Sequence, residues 1–309
     1  VRSLSAPGNV LLLGEYAVTE EGGLGVALGA GPRAEGRATP GENLTITARM
    51  GTDTIEWPRE PLPLAEAAGV VLSRRGIEAP ASAIEIDTGS FYRRERKLGF
   101  GSSAAATVLL TALLLGSGVP KERLFAVALE MHRELQGGRG SGYDVAASLF
   151  GGTIRFEGGV VPRVERVELP WLPRLYVIPG PEAVRSGSAV GAYNRWKGER
   201  PAEAIRFLDE SNELVRRFLR ARSWGEAAPV VRAATLLGER VGKEIGVDST
   251  FRPASGSLEE HLGDKRGEAV VKSVGAGAEM GVLFSPCELT PGRLESIELA
   301  RSEKGLVWE

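Results

Sequence analysis

The sequence predicts an α+β protein of two domains, and three observations carry that expectation. Short alternating or β-branched stretches, bounded by Gly, Pro, Asp or Thr, are joined with longer apolar and amphipathic helical patterns in two unequal blocks. At 309 residues the chain exceeds the size at which a single core stops growing, about 250–300 residues. The run Leu169-Pro170-Trp171-Leu172-Pro173 separates the blocks, because two prolines deny it regular structure. The expected division is therefore 1–168 and 169–309.

In the first block, strands are expected at Asn9–Leu13, Leu44–Ala48, Thr54–Trp57 and Ala83–Asp87, interrupted by one helix from Leu64 to Arg75. Ala104 to Leu115 is apolar on nearly every side and reads as a buried helix. The next helix spans Lys121 to Leu135, with Pro120 at its start and Leu124, Ala128, Met131 and Leu135 on one face. Gly137, Gly138, Gly140 and Gly142 break it. A short helix from Asp144 to Leu149 ends at Gly151-Gly152, and strands follow at Thr153–Phe156 and Arg163–Glu168.

The second block opens with a strand at Leu175–Ile178 and then turns helical. Ile205, Leu208, Val215 and Leu219 mark one stripe of a Glu/Arg-rich helix, and Trp224 to Val241 forms another, broken at Pro229. Strands at Ala269–Val274 and Gly281–Ser285 bracket a last glycine cluster, and no internal repeat is visible.

Composition excludes several classes. With 38 basic and 40 acidic residues the formal charge is −2, so no global field draws nucleic acid or acidic lipid, and any bound anion is held locally. A single cysteine, Cys287, and two histidines leave no internal disulfide and no Cys/His zinc cluster. Val1-Arg2-Ser3 shows no signal-peptide pattern, and the apolar run Ala104–Leu115 is shorter than the ~18 residues of a membrane span. A cytoplasmic protein without a membrane or nucleic-acid partner is expected.

Chemistry concentrates where glycine does. The 41 glycines compare with roughly 22 at an average usage of about 7%. In Lys97-Leu98-Gly99-Phe100-Gly101-Ser102-Ser103-Ala104-Ala105 the glycines allow close backbone approach, the serines bring hydroxyls, and a helix begins whose free N–H groups and dipole face an anion. That is a phosphate cradle or, more plainly, a structural turn. No G-x-x-x-x-G-K-[ST] occurs in the chain. The segment does fit G-x-G-x-x-[GA], but the charged residues Arg93 to Lys97 ahead of it are unlike the buried strand of a dinucleotide fold, which leaves a nicotinamide-dependent oxidoreductase as a remote reading.

Two further segments, in order along the chain, identify a family resemblance. Ser5-Ala6-Pro7-Gly8-Asn9-Val10-Leu11-Leu12-Leu13-Gly14-Glu15-Tyr16-Ala17-Val18 resembles the first motif of the GHMP small-molecule kinases, and a separate segment, Gly140-Ser141-Gly142-Tyr143-Asp144-Val145-Ala146-Ala147, with His132 and Gln136-Gly137 ahead of it and Gly151-Gly152 after it, is similar to a segment of the phosphomevalonate kinases. Lys272-Ser273-Val274-Gly275-Ala276-Gly277-Ala278-Glu279 resembles a shortened third motif, and Arg185-Ser186-Gly187-Ser188 loosely resembles a serine loop on the substrate side. The resemblance implies an N-terminal domain of the ribosomal protein S5 domain 2-like type and a ferredoxin-like C-terminal domain. It also implies ATP and Mg²⁺ as cofactors, a phosphorylated mevalonate-type acid as acceptor, and a monomer or homodimer. The activity it implies is phosphoryl transfer from ATP to 5-phosphomevalonate. Mevalonate or a related small-molecule acceptor, and a catalytically weakened metabolite-binding relative, are the alternatives.

The residue roles follow from the same resemblance. Asp144 is expected at the acceptor's attacking oxygen, its plainer alternative being a helix cap. Lys97, Gly99, Gly101, Ser102, Ser103 and Ala104 are expected around the nucleotide, with Ser103 also at the metal, although serines before a helix also serve as caps. Ser141, Gly142, Arg139, Ser186, Ser188, Lys272, Gly275, Ala276 and Gly277 are expected on the substrate side. Asn9 stands in a catalytic position where mevalonate and phosphomevalonate kinases usually carry lysine, so it donates a hydrogen bond but brings no charge. Lys97 or Arg139 is then left to supply the cation. His132 reads as a partly buried, hydrogen-bonded histidine at a point where mevalonate kinases tend to hold an acidic metal ligand. Glu15 is read either as orienting the first glycine turn or as a surface carboxylate.

Overall fold

A computed structural model describes residues 1–93, 96–138, 140–180, 186–254, 268–274, 280–289 and 296–309. The chain forms two compact units that are each discontinuous in sequence. The first comprises Val1–Val10, Leu28–Ile154 and Ala300–Glu309, the second Leu11–Ala27 and Arg155–Leu299. The prolines at 170 and 173, by contrast, mark a continuous division after residue 168.

The first unit is built on a sheet whose strands are β1 (Arg2–Leu13), β2 (Leu24–Pro40), β3 (Thr45–Met50), β4 (Asp53–Trp57), β5 (Ser82–Asp87) and the C-terminal β14 (Val307–Trp308), in the order β14-β1-β2-β5-β3-β4. The β3–β5 pair is parallel, with Ile46 opposite Ile84 and Ala48 opposite Ile86, so one pleat face is buried and the other stays polar. β2 was not expected. Its glycines, alanines and two prolines carry little β-propensity, and neighbouring strands on both sides impose the conformation. Arg33 on β2 ties the C-terminal segment down, donating to Ser302 Oγ at 2.8 Å and to the carbonyls of Ser5 and Gly305 at 2.9 and 2.7 Å.

Four helices complete this unit: α1 (Pro63–Arg74), α2 (Ser102–Leu115), α3 (Lys121–Leu135) and α4 (Tyr143–Phe150). A small hairpin of β6 (Tyr92–Arg93) and β7 (Arg96–Lys97) precedes α2. α2 is buried from Ala104 to Leu114, as its uniform hydrophobicity demands, and packs against α3, α4 and β5. Its two interior threonines are satisfied within the helix, Thr107 and Thr111 donating to the carbonyls of Ser103 and Thr107. Leu109, Leu110 and Leu113 are wholly enclosed, each contributing about 1.5–3 kcal/mol by removal from water.

The second unit contains β8 (Thr153–Glu157) paired with β9 (Arg163–Val167), and an antiparallel sheet of β10 (Arg174–Pro179), β11 (Val270–Ser273), β12 (Met280–Ser285) and β13 (Ile297–Glu298) in the order β11-β12-β10-β13. Its helices are α5 (Ser186–Glu199), α6 (Pro201–Arg220) and α7 (Trp224–Ile245). Two sequence expectations are corrected here. The buried stripe of α6 is Ala204, Phe207, Ser211, Leu214, Val215 and Phe218, leaving Ile205 61% exposed, because the two phenylalanines at helical spacing outweigh the aliphatic row. α7 runs unbroken through Pro229, which lies in its second turn, where the missing N–H forgoes one i→i−4 hydrogen bond, to the carbonyl of Gly225. Tyr193, fully buried on α5, stacks on Tyr16 with ring centroids 5.3 Å apart and meets Phe207 edge-on at 5.9 Å.

The α+β class holds in both units. Among the described residues no helix is long and apolar enough to cross a membrane.

Candidate active site

Two helices of the first unit are entered through left-handed glycines. Gly101 precedes α2 with φ 70° and ψ 39°, and Gly142 precedes α4 with φ 91° and ψ 7°. A Cβ at Gly101 overlaps the Asn9 amide, and one at Gly142 overlaps Leu129 Cδ1, so neither position accepts a side chain without displacing a neighbour. Neither N-cap glycine offers a side chain to its helix, and in the first turn of α4 the Asp144 carboxylate accepts the Val145 N–H at 2.9 Å, so the helix-end role weighed for Asp144 is present in the structure. The first N–H groups of α2 keep no intrahelical acceptor and, with the positive end of the helix dipole, face the glycine loop.

Asn9 links the two helix starts. It is 4% exposed; its backbone N–H donates to the Phe100 carbonyl at 2.9 Å, and its Nδ2 donates to Ser148 Oγ on α4 at 3.1 Å. The same amide is what crowds Gly101. Ser148 lies four residues after Asp144, one helical turn along the same face of α4. Asn9 thus joins the start of α2 to the face of α4 that carries Asp144.

Asp144 occupies the first turn of α4 with its side chain 21% exposed. Its Oδ1 accepts the Val145 N–H at 2.9 Å, and its Oδ2 lies 3.6 Å from Nδ1 of His132. His132 is 1% exposed on α3, and its Nε2 has no hydrogen-bond partner among the described residues. Arg133, which sequence reasoning did not single out, donates from Nε to the Gly140 carbonyl at 3.0 Å and from Nη2 to that of Ser141 at 3.5 Å, fixing the turn into α4. An arginine in a charged helix face offers no signal that distinguishes this role.

The other expected residues are placed as follows. Ser102 and Ala104 are buried, Ser103 is exposed, Gly99 is half-buried, and Lys97 is exposed on β7 opposite Tyr92. Ser141 is half-buried and Gly142 buried ahead of α4. Ser186 and Ser188 lie on α5, a helix where a serine loop was expected, and Ser188 is exposed. Arg139, Gly275, Ala276 and Gly277 lie outside the described residues.

Lys272 on β11 is 3% exposed, and its ammonium is held by the Glu15 carboxylate and by the Ser273 carbonyl at 3.0 Å. Glu15 is thus no surface carboxylate. Burial raises its carboxyl above the ordinary range, against the opposing pull of Lys272 and of the backbone N–H groups of Glu15 and Gly14. The adjacent Tyr16 is the only non-glycine residue with positive φ among those described, and burial pushes its hydroxyl up to about 12.

Among the described residues no group of three or more His, Cys, Asp or Glu side chains could hold a metal ion. Ser103 offers a single oxygen, and the described α3 side chain beside the Asp144 carboxylate is the buried imidazole of His132. A divalent cation of the magnesium type, which takes oxygen ligands and keeps waters, does not find a protein-made shell in this set.

Residues 64–152 match the family model of the GHMP kinases N terminal domain. The match runs from α1 through the glycine cradle to the turn after α4. Structures similar over nearly the whole chain include the Lin0012 protein from Listeria innocua, at 21% identity and TM-score 0.77, covering 96% of this chain and 98% of that one. Phosphomevalonate kinase from Streptococcus pneumoniae, in complex with phosphomevalonate and AMPPNP, matches at 20% identity and TM-score 0.71, covering 93% and 92%. Mevalonate kinase from Methanococcus jannaschii follows at 14% identity and TM-score 0.68, covering 97% and 98%. At these identities the likeness is one of fold, and it covers nearly the whole chain. No curated protein matches the sequence.

Proposed function

We propose that this chain is an ATP-dependent phosphotransferase that transfers the γ-phosphoryl group of ATP to 5-phosphomevalonate, giving the diphosphate. The observation that carries the reading is Asn9, which bonds to Ser148 and abuts Gly101, so that an uncapped helix start behind a glycine loop and the carboxylate of Asp144 serve one face. An α2 start of this kind suits the phosphates of a nucleotide. In a loose phosphoryl-transfer transition state, a carboxylate that places the attacking oxygen suffices, since positioning outweighs strong base chemistry. Mg²⁺ in this reading travels with the nucleotide, with Ser103 as its protein oxygen. Lys97, exposed and four residues ahead of Gly101, adds a point charge to the nucleotide phosphates in this reading. The similarity of Gly140–Ala147 to phosphomevalonate kinases favours the phosphorylated acceptor over mevalonate, and the division at 168/169 into N-terminal and C-terminal domains belongs to the same proposal.

A second reading has one observation in its favour. Asn9 is buried, uncharged and already hydrogen-bonded, which fits a relative that binds nucleotide without transferring phosphate. A coupled ATP-consumption assay with 5-phosphomevalonate, mevalonate, galactose and no acceptor separates the two. Acceptor-dependent turnover highest with 5-phosphomevalonate is expected. ATP binding without turnover on any acceptor moves the conclusion to the binding protein.

The cradle itself is tested by Gly101→Ala. A left-handed non-glycine residue costs about 1–2 kcal/mol, and the new methyl pushes on the Asn9 amide. Nucleotide affinity is expected to fall about tenfold or more, equivalent to about 1.4 kcal/mol. Titration with a fluorescent ATP analogue, alongside a thermal melt, checks this; unchanged affinity in the folded variant removes the loop from the nucleotide site.

A further inference from the structure

We infer that His132 is the positioning residue for Asp144: its Nδ1–H faces Oδ2 of the carboxylate and holds that oxygen toward the acceptor. The inference rests on the reading of Asp144 as the group at the acceptor's attacking oxygen, and it adds a residue that the reading does not use.

The two oxygens of Asp144 are differently engaged. Oδ1 is fixed by the Val145 N–H, so the plane of the carboxylate is set by α4, and Oδ2 is left toward α3, 3.6 Å from His132 Nδ1. That spacing is longer than a formed hydrogen bond, in keeping with catalytic contacts that tighten only when substrate is present. The other carboxylates near this stretch of α3 have partners elsewhere: Glu130 pairs with Arg75 and Glu134 with Arg74, both at the surface. Among the described residues, Asp144 is the carboxylate that remains for the ring.

The surroundings of the two ring nitrogens assign the proton. A buried ring nitrogen without a partner costs about 1–3 kcal/mol whether it carries a proton or a lone pair, so the group beside the other nitrogen decides which one holds the proton. Nε2 has no partner among the described residues, and the group beside Nδ1 is an ionisable carboxylate that can only accept when charged. Placing the proton on Nδ1 lets the ring donate toward Oδ2. A buried ring with one unsatisfied nitrogen is a poor core filler beside Leu or Phe of similar size, and orienting the carboxylate explains why it is there. The ring keeps its proton throughout; any proton leaving the acceptor goes to Asp144.

The test has a spectroscopic and a kinetic part. The sequence has two histidines, so a His261→Gln background leaves His132 as the single imidazole for ¹⁵N NMR. The expected spectrum shows protonation at Nδ1, with that resonance moved by Asp144→Asn. An Nε2–H tautomer, or a resonance indifferent to Asp144→Asn, overturns the inference. In the kinetic part, His132→Leu is expected to lower kcat about ten- to a hundredfold, the range typical of partners that orient a reacting group, with both KM values within about twofold. His132→Asn, whose amide N–H can stand near the Nδ1 position, is expected to stay within about threefold of native kcat. Equal losses in the two variants, or a loss confined to KM, overturn the inference as well. If the native chain transfers phosphate to no acceptor, the reading of Asp144 fails separately, and the His132–Asp144 pair is decided by the NMR result alone.

Discussion

Asp144→Asn is expected to lower kcat with 5-phosphomevalonate by about 10²–10⁴-fold, the range a positioned acid–base group contributes, or about 2.7–5.5 kcal/mol of barrier at 1.36 kcal/mol per decade. The substitution keeps the side chain's shape, and its remaining oxygen can still accept the Val145 N–H that now binds Oδ1 at 2.9 Å. What it removes is the charge and the second acceptor, facing His132. Loss of a negative charge from the first turn of α4 costs about 0.3–1 kcal/mol of helix-dipole interaction, small enough to leave the protein folded. The nucleotide faces α2 rather than Asp144 in this reading, so KM for ATP is expected to stay within a few-fold. A variant that turns over within threefold of native places the chemistry at another group. The uncharged Asn9 sets the background: without a cation there, the native rate itself is expected to be modest, and a further loss at Asp144 brings it toward the uncatalysed level.

Much of the first unit was legible because its signals are local. α3 lies at Lys121–Leu135 as expected, since its apolar spacing repeats at the helical period over four turns. The glycine cradle and the start of α4 were visible because left-handed backbone before a helix requires glycine at Gly101 and Gly142. β2 was not legible, as a strand rich in glycine and alanine is defined by its neighbours. α5 was hidden for a related reason: Ser186, Gly187 and Ser188 read as a loop, while the force that makes the segment a helix is burial of Tyr193 and Trp196 against Phe207. The candidate site divides the same way. Asp144 and the serines could be found by motif, but the His132–Asp144 approach crosses an intervening glycine turn, and the Glu15–Lys272 pair spans 257 positions. Periodicity cannot report contacts of that separation.

Lys272→Met is expected to destabilise the protein by about 3–5 kcal/mol, because it leaves the Glu15 carboxylate buried without its counter-charge. Glu15 and Lys272 are 12% and 3% exposed, so water cannot replace the lost partner. Adding Glu15→Leu to Lys272→Met should recover most of the loss, since well-packed apolar residues often match or exceed a buried ion pair. The pH dependence separates this cause from simple misfit. Burial already raises the Glu15 carboxyl above the ordinary range in the native protein, and removing Lys272 takes away the strongest opposing influence, so the folded-state value rises further. A raised carboxyl means the folded state binds the proton more tightly than the unfolded chain does. The stability it contributes is complete below the unfolded value, about 4.3, and is lost as pH rises through the folded value. The penalty of Lys272→Met should therefore be smallest below the unfolded carboxyl value and grow as pH rises above it, while the double variant shows no such slope. Urea unfolding of the three proteins on both sides of that value measures both effects; a penalty independent of pH, or a double variant no better than the single, means that Glu15 is not held by Lys272 as a buried charge.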